Sequence, residues 1–250
     1  ARRGTTYGML FQALSHRLAV LASILASNVE LWRGRRVEHV ATLPALPLTL
    51  YEYEACPYCR VVREALTALQ LDVQIRPCPR KGQRFRPDAL RLGGKRQFPL
   101  LIDPNTHTQL YESRVIVRYL FQTYGSGAMP ARCQPRLTQP LSNVLVLLTR
   151  LGRGGFARAS SAPAQPLQLW SFEAHPHARL VRERLCELEL PYTLHNLGEE
   201  PGPAAAGGKR HAFTQAHGRV QLPYLEDPNT GSALFESRAI LEYLQRTYAA

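Results

Sequence analysis

A chain of 250 residues predicts one or two domains. Its 45% hydrophobic and 20% charged content excludes wholesale disorder, five cysteines are too few for a disulfide scaffold, and no run of about 18 uncharged apolar residues provides a conventional membrane span. The net charge is +12, yet residues 167–250 carry eight basic and ten acidic side chains, so the excess lies elsewhere. The basic residues are scattered and no aromatics interleave with them as stacking platforms, so no nucleic acid partner is expected.

Residues 7–32 read as a helix. Leu10, Leu14, Leu18, Leu21 and Leu25 recur at steps of three and four, and Phe11, Val20 and Ile24 widen the stripe. The opposite face, Gln12, His16, Ser23 and Ser27, is weakly polar. Uncharged residues run only from Leu18 to Val29, too short for a span. Arg2, Arg3, Thr5 and Thr6 ahead of it also fit a targeting remnant. Leu48–Tyr53 alternates and reads as a strand, and Pro57 opens a helix to Leu69 with Val61, Ala65, Leu66 and Leu69 on one stripe. Asp72–Arg76 is a second strand. Residues 77–96 are a basic connection with a short helix near Pro87–Leu92. Pro99–Ile102 and Gln109–Tyr111 are strands around an Asp103-Pro104-Asn105-Thr106 turn. Ser113 caps a last helix to Tyr124, with Val115, Ile116, Tyr119 and Leu120 inward. Residues 126–166 hold five arginines and no acid, and include the apolar stretch LSNVLVLLTRLGRGGF.

The chain then repeats. LTLYEYEACPYCRVVREALTALQLDVQI (48–75) aligns with LQLWSFEAHPHARLVRERLCELELPYTL (167–194), and QFPLLIDPNTHTQLYESRVIVRYLFQTY (97–124) with QLPYLEDPNTGSALFESRAILEYLQRTY (221–248). The offset grows from 119 to 124 because GEEPGPAAAGG lengthens a loop in the second copy. Four segments follow: an N-terminal arm with an apolar helix (1–47), a first α/β domain (48–125), a basic linker with an apolar helix (126–166) and a second α/β domain (167–250). Each domain should form its own four-stranded sheet, with cis bonds before Pro99 and Pro223.

Cys56-Pro57-Tyr58-Cys59 sits between a strand and a helix. Helix N-terminal N–H groups and the helix dipole stabilise a thiolate there, and Cys59 lies one turn down the same face. Cys56 is then an exposed nucleophile and Cys59 the resolving thiol. Half of a zinc site and a vestigial pair are the other readings, but neither Cys78, Cys133 nor any histidine stands at zinc-ligand spacing. Glu52 and Glu54 just upstream would oppose a thiolate if they lie near the sulfur. In the second copy His175, His177 and Ala178 replace Cys56, Tyr58 and Cys59, so no thiol chemistry is expected there. Cys186 is read as a packed helix residue and the histidines as surface groups, and no metal is expected.

The strand, the Cys-Pro-Tyr-Cys helix start and Phe98-Pro99 resemble glutaredoxins of the thioredoxin fold. Glu112-Ser113 resembles the N-terminal domain of glutathione S-transferases, and the pairing resembles tandem proteins of that type from plastids and cyanobacteria. The resemblance implies two thioredoxin-like domains and glutathione as cofactor. It implies a glutathione site of Tyr58, Phe98, Pro99, Glu112 and Ser113, and glutathione-linked reduction of disulfides through Cys56 and Cys59. It also implies a chloroplast setting, stromal or thylakoid-associated. The lysine that glutaredoxins carry before the first cysteine is missing, which leaves Arg84 or Arg96 for the glycyl carboxylate. No all-helical C-terminal domain follows, so glutathione conjugation of the transferase type is not expected. The alternative is a non-catalytic accessory subunit of a membrane complex, of thylakoid or photosystem type, docked on it or on an anionic membrane face through residues 7–32 and 126–166.

Overall fold

The computed structural model describes residues 2–134, 145, 146, 149–200 and 207–250, with backbone alone for residues 2–12 and 132. Most of the linker stretch 135–148 and part of the second-copy loop thus lie outside the described residues. Helix α1 spans Arg2–Val29. The first repeat follows as β1 (Leu48–Glu52), α2 (Pro57–Ala68), β2 (Val73–Pro77), α3 (Arg86–Gly93), β3 (Leu100–Asp103), β4 (Thr108–Tyr111) and α4 (Ser113–Thr123). The second gives β5 (Leu167–Ser171), α5 (Pro176–Glu187), β6 (Tyr192–Asn196), α6 (Lys209–His217), β7 (Tyr224–Asp227), β8 (Ser232–Phe235) and α7 (Ser237–Tyr248). The bonds before Pro99 and Pro223 are both cis.

The two sheets are not separate. Within each repeat the first two strands are parallel and the next two antiparallel. β2 then pairs antiparallel with β6, Val73 opposite Leu194 and Ile75 opposite Tyr192, giving one sheet in the order β4-β3-β1-β2-β6-β5-β7-β8. Val73, Ile75, Tyr192 and Leu194 are all buried. Each repeat would otherwise leave an open edge of unpaired N–H and C=O groups, and each covers the other's.

The Asp-Pro-Asn-Thr turn present twice does the same job twice. Asp103 accepts from Tyr119 Oη (2.6 Å), Tyr124 Oη and Asn105 N–H (2.8 Å), and Asp227 accepts from Tyr243 (2.6 Å), Tyr248 (2.5 Å) and Asn229 N–H (2.8 Å). Asn105 and Asn229 then pin the segments entering β1 and β5 through Leu46 and Gln165. Further upstream the two arms cross between repeats. Val37 N–H donates to Glu199 O (2.8 Å) and Glu38 N–H to Ala68 O (2.8 Å), while Ala157 N–H donates to Arg80 O (2.9 Å) and Arg158 N–H to Glu187 O (2.7 Å).

Under these arms lies a buried ion quartet. Arg63 meets Glu173 (2.8 Å) and Glu54 (3.1 Å), and Arg182 meets Glu54 (3.1 Å) and Glu173 (3.0 Å). The four side chains are at most 4% exposed. Glu54 and Glu173, like Arg63 and Arg182, are 119 positions apart, so the quartet sits on the pseudo-two-fold axis. Gly34 and Gly154 cross directly above it at φ +75° and +73°, and a Cβ there would come within 2.7 Å of Glu173 and 2.8 Å of Glu54. Glu52 also bonds Arg63, and its counterpart is Ser171. Burial, only partly offset by Arg63, pushes the Glu52 carboxyl up to about 8. Burial would raise Glu173 too, but Arg182 and Arg63 hold it down to about 2. With Glu52 protonated, two guanidiniums face two carboxylates.

In two helices the buried face departs from the one that the apolar stripe marks. The small face of α1 packs inward: Ala19, Val20, Ser23, Ala26 and Ser27 are buried against the second repeat. The leucine stripe points out, with Leu14, Leu18, Leu21 and Leu25 each 56–58% exposed. In α4, Ile116 and Leu120 are buried but Val115 is 46% exposed. Ser113 does not cap: Glu112 holds that position at φ +67°, with no side-chain cap bond.

Removing one member of a buried ion set leaves an unpaired charge, which costs about 3–5 kcal/mol. Glu173→Ala should lose that much unfolding free energy in urea; a loss under about 1 kcal/mol would mean that water reaches the quartet. Glu52 binds its proton more tightly folded than unfolded. Its contribution is full below its ordinary 4.5 and is lost as pH rises through about 8. Glu52→Gln, which stays neutral, should lose less thermal stability than the parent between about pH 5 and 9. Equal losses would mean that Glu52 is ionised throughout.

Candidate thiol site

Cys56 ends the turn after β1 and is the N-cap of α2, with Pro57 in the first helical turn where no hydrogen bond is lost. Its Sγ accepts from Cys59 N–H at 3.3 Å. The bond with the Cys59 thiol lowers Cys56 to about 7 against the effect of burial, helped by the N–H groups of Cys59 and Tyr58 and by Arg63. Burial and the neighbouring Cys56 push Cys59 well above the ordinary thiol range. Two thiols of one motif thus titrate far apart. Both are free and buried, Cys56 at 2% exposure and Cys59 at 0%, so the expectation of an exposed nucleophile is not met. The Glu54 charge is spent on Arg63 and Arg182 rather than opposing the sulfur.

The sheet brings the remaining residues of the motif to the same end. Tyr51 lies opposite Leu100 and Leu100 opposite Tyr111, so Pro99 and Glu112 stand beside the end of β1 from which Cys56 follows. Phe98 is half-buried, with Tyr53 edge-on at 6.2 Å and the Arg86 guanidinium over its ring at 4.9 Å. Pro99 is buried, Ser113 is 7% exposed, and Tyr58 projects at 62% exposure. Glu112 is exposed and accepts from Gln97 Nε2. Of the two arginines left for the glycyl carboxylate, Arg84 is committed elsewhere. It donates to Glu189 O (2.6 Å), Leu188 O (3.2 Å) and Ser160 O (3.1 Å) of the other half. Arg96 is exposed.

In the second repeat His175 copies the cap of Cys56: its Nδ1 accepts from Ala178 N–H at 3.3 Å. Burial lowers it to about 3, so it is a neutral structural cap and not a surface histidine. His195 is not on open surface either. It sits at the β2–β6 seam between Asp72 (2.9 Å) and Gln168 (2.9 Å), stacked 4.3 Å from Trp170. Among the described residues no group of three or more His, Cys, Asp or Glu is arranged to hold a metal. Cys186 is packed, as read, and also ties the repeats: its Sγ donates to Gly154 O (3.2 Å) and accepts from Glu54 N–H (3.4 Å). Helix α1 roofs this second site. Ser27 Oγ donates to Ala174 O and Ser23 Oγ to Pro176 O, both at 2.9 Å, and His16 Nε2 lies 3.3 Å from Ser237 Oγ.

Sequence reasoning missed the quartet. Its signal was available: an acid two residues before the motif position and an arginine nine residues after that acid, in both copies.

Among curated proteins none matches this chain. The family model for the glutathione S-transferase N-terminal domain matches residues 50–129 and again 169–250. Among solved structures, the Bombyx mori glutathione transferase BmGSTD1 is 28% identical over 34% of this chain and 39% of its own, with a TM-score of 0.30. The trimeric glutathione transferase TDR1 of Leishmania is 14% identical over 82% of this chain and 68% of its own, with a TM-score of 0.28. The chain therefore spans well under two thirds of the length of the Bombyx mori enzyme. Matched by that model over both repeats, the chain belongs to the glutathione S-transferase N-terminal-domain family and carries the thioredoxin-like domain twice.

Proposed function

We propose that the chain is a glutathione-linked thiol–disulfide oxidoreductase that works through its first repeat. The observation that carries this reading is the placement of Cys56 at the N-cap of α2 with its Sγ on the Cys59 N–H at 3.3 Å, an arrangement that lowers Cys56 to about 7 while burial raises Cys59. At neutral pH Cys56 is substantially thiolate, and it attacks a disulfide sulfur; the departing thiolate takes up a proton and a mixed disulfide remains. Either a glutathione thiolate or the deprotonated Cys59 then attacks that bond, releasing Cys56 in the first case and leaving the Cys56–Cys59 disulfide in the second. Two further glutathiones reduce that disulfide, becoming oxidised glutathione. In this reading the backbone of Phe98 meets the cysteinyl part of glutathione, beside Pro99 and Tyr58. The first N–H groups of α4 at Ser113 take the γ-glutamyl carboxylate, and Glu112 accepts from its ammonium. A chloroplast setting belongs to this proposal and rests on resemblance alone.

A second reading is favoured by the 2% exposure of Cys56 and by the outward leucines of α1. In it the chain is a non-catalytic accessory subunit, docked through α1 and the linker on a membrane complex or an anionic membrane face. Not all linker charge is available for this. Arg150 is buried on Glu183, whereas Arg153 and Arg158 remain exposed. A basic residue near an anionic surface contributes about 1 kcal/mol. Deleting residues 1–48 would not test docking cleanly, because residues 33–42 bond to both repeats.

Cys56→Ser should abolish glutathione-driven disulfide reduction, and Cys59→Ser should keep the route that uses glutathione alone. Alkylation of Cys56 should reach half its maximal rate near pH 7. Full activity in Cys56→Ser, or a midpoint near pH 9, would remove the thiol assignment. For docking, the parent chain should co-float with phosphatidylglycerol vesicles at low salt and lose them as salt rises, and Leu18→Glu with Leu21→Glu should not co-float. Equal flotation of parent and variant would exclude α1 as the contact.

A further inference from the structure

The pseudo-two-fold axis sets a standard against which the charges on either side can be compared. On one side Arg60 meets Glu30 (2.8 Å) and Glu64 (3.3 Å), and Arg33 meets Glu64 (3.1 Å): two arginines on two carboxylates, all buried. Their counterparts are Arg179 for Arg60 and Glu183 for Glu64, each 119 positions on. In the arms Glu30-Leu31-Trp32-Arg33-Gly34 aligns with Arg150-Leu151-Gly152-Arg153-Gly154, so Arg150 stands for Glu30 and Arg153 for Arg33. The other side therefore holds three arginines and one carboxylate. Arg150 takes both Glu183 oxygens, at 2.7 and 2.5 Å.

Arg179 is left without either carboxylate that its twin enjoys. It is 5% exposed, and its Nη1 donates to Ser23 O (2.8 Å) and Ser23 Oγ (3.2 Å). Among the described residues it has no carboxylate within ion-pair distance. Burial lowers its guanidinium to about 10, still well above neutrality, so the charge is kept. Five arginines, Arg60, Arg63, Arg150, Arg153 and Arg179, line a cavity of ≈ 40 Å³ against three carboxylates, Glu54, Glu173 and Glu183, and Cys56 also forms part of its wall. That is room for a few waters or one small ion and not for a glutathione. Glu173, Glu54 and Glu183 act on Arg179 only from beyond ion-pair contact, and do not offset its burial. A buried cation without a contacting counter-charge is costly, and an anion in this space would supply what the sequence has replaced.

We propose that the cavity binds one small monovalent anion, of chloride or formate size, between Arg179 and Arg153 beside the Cys56 sulfur. The site goes beyond the thiol chemistry proposed above and does not require it, because a bound ion is observable whether or not Cys56 is catalytic. It has a consequence for Cys56 all the same. Anion and thiolate would share one positive field, so filling the cavity would return Cys56 to its thiol form. A like charge at 4–6 Å that raises a thiol by about one unit lowers the thiolate fraction at pH 7 about fivefold.

Crystals of the full chain soaked in bromide should show an anomalous peak in the cavity within hydrogen-bonding distance of Arg179. In solution, alkylation of Cys56 at pH 7 should slow about fivefold and saturably as chloride replaces gluconate at constant ionic strength. Arg179→Gln should abolish the chloride response; should that variant not fold, Arg153→Gln, at an exposed position, should weaken it. Bromide peaks confined to the outer surface, or the same chloride response in the parent and in whichever variant folds, would overturn the site. Loss of disulfide reductase activity in every form, with the bromide peak present, would remove the enzyme reading and leave the anion site standing.

Discussion

The Arg63–Glu54–Arg182–Glu173 quartet is the constraint around which the molecule is organised. Each arginine comes from the helix of one repeat and meets a carboxylate of its own repeat and one of the other, so the buried charges of both repeats are shared across the axis. Desolvating four charges is unfavourable, and their mutual attraction compensates only when all four are in place. The quartet therefore contributes register more than stability. It requires α2 and α5 to face each other across the axis, which brings β2 against β6, and it requires glycine in both arms, since any Cβ would strike the glutamates. A single buried polar arrangement thereby ties together sheet, helices and arms.

The same interaction bears on the thiols. Cys56 follows Glu54 by two residues, and Arg63 serves both the quartet and the electrostatics of the sulfur. The acids beside the motif look hostile to a thiolate when read linearly. In three dimensions Glu52 carries a proton and the Glu54 charge is spent on Arg63 and Arg182, so the local field at Cys56 is set by the Cys59 thiol, the N–H groups of Cys59 and Tyr58, and Arg63. The second repeat keeps the frame of the site and replaces its chemistry: an imidazole makes the helix cap that a sulfur makes in the first, and α1 occupies the approach.

The elements inside each repeat were legible because their signals are local. Alternation marked β1, proline marked the start of α2, and Asp-Pro-Asn-Thr marked the β3–β4 turn. Features that depend on a second surface were not legible. Leu14, Leu18, Leu21 and Leu25 make the stronger stripe on α1, yet the helix packs through alanine and serine, because small side chains let it lie close enough for Ser23 and Ser27 to bond the backbone around the start of α5. The β2–β6 pairing was hidden because β2 and β6 read as ordinary strands of their own repeats. Arg84 looked available for a ligand and instead binds three carbonyls of the other half. The cysteine motif was plain in the sequence, but its burial comes from the arrangement of both halves and the linker.

Joining the two halves covalently has a further consequence. In a dimer of identical subunits an isologous interface repeats every residue on both sides of the axis, so a change that suits one side must be tolerated on the other. Here the axis relates positions on a single chain, and the two sides are free to diverge: Glu52 opposite Ser171, Thr67 opposite Cys186, Glu30 opposite Arg150. A carboxyl that carries a proton can stand on the thiol side alone, and a sulfur can replace a hydroxyl at one of two matched backbone contacts without its twin. Tandem duplication thus turns a symmetric interface into an asymmetric one while keeping its geometry, and lets one half specialise for chemistry while the other specialises for holding it.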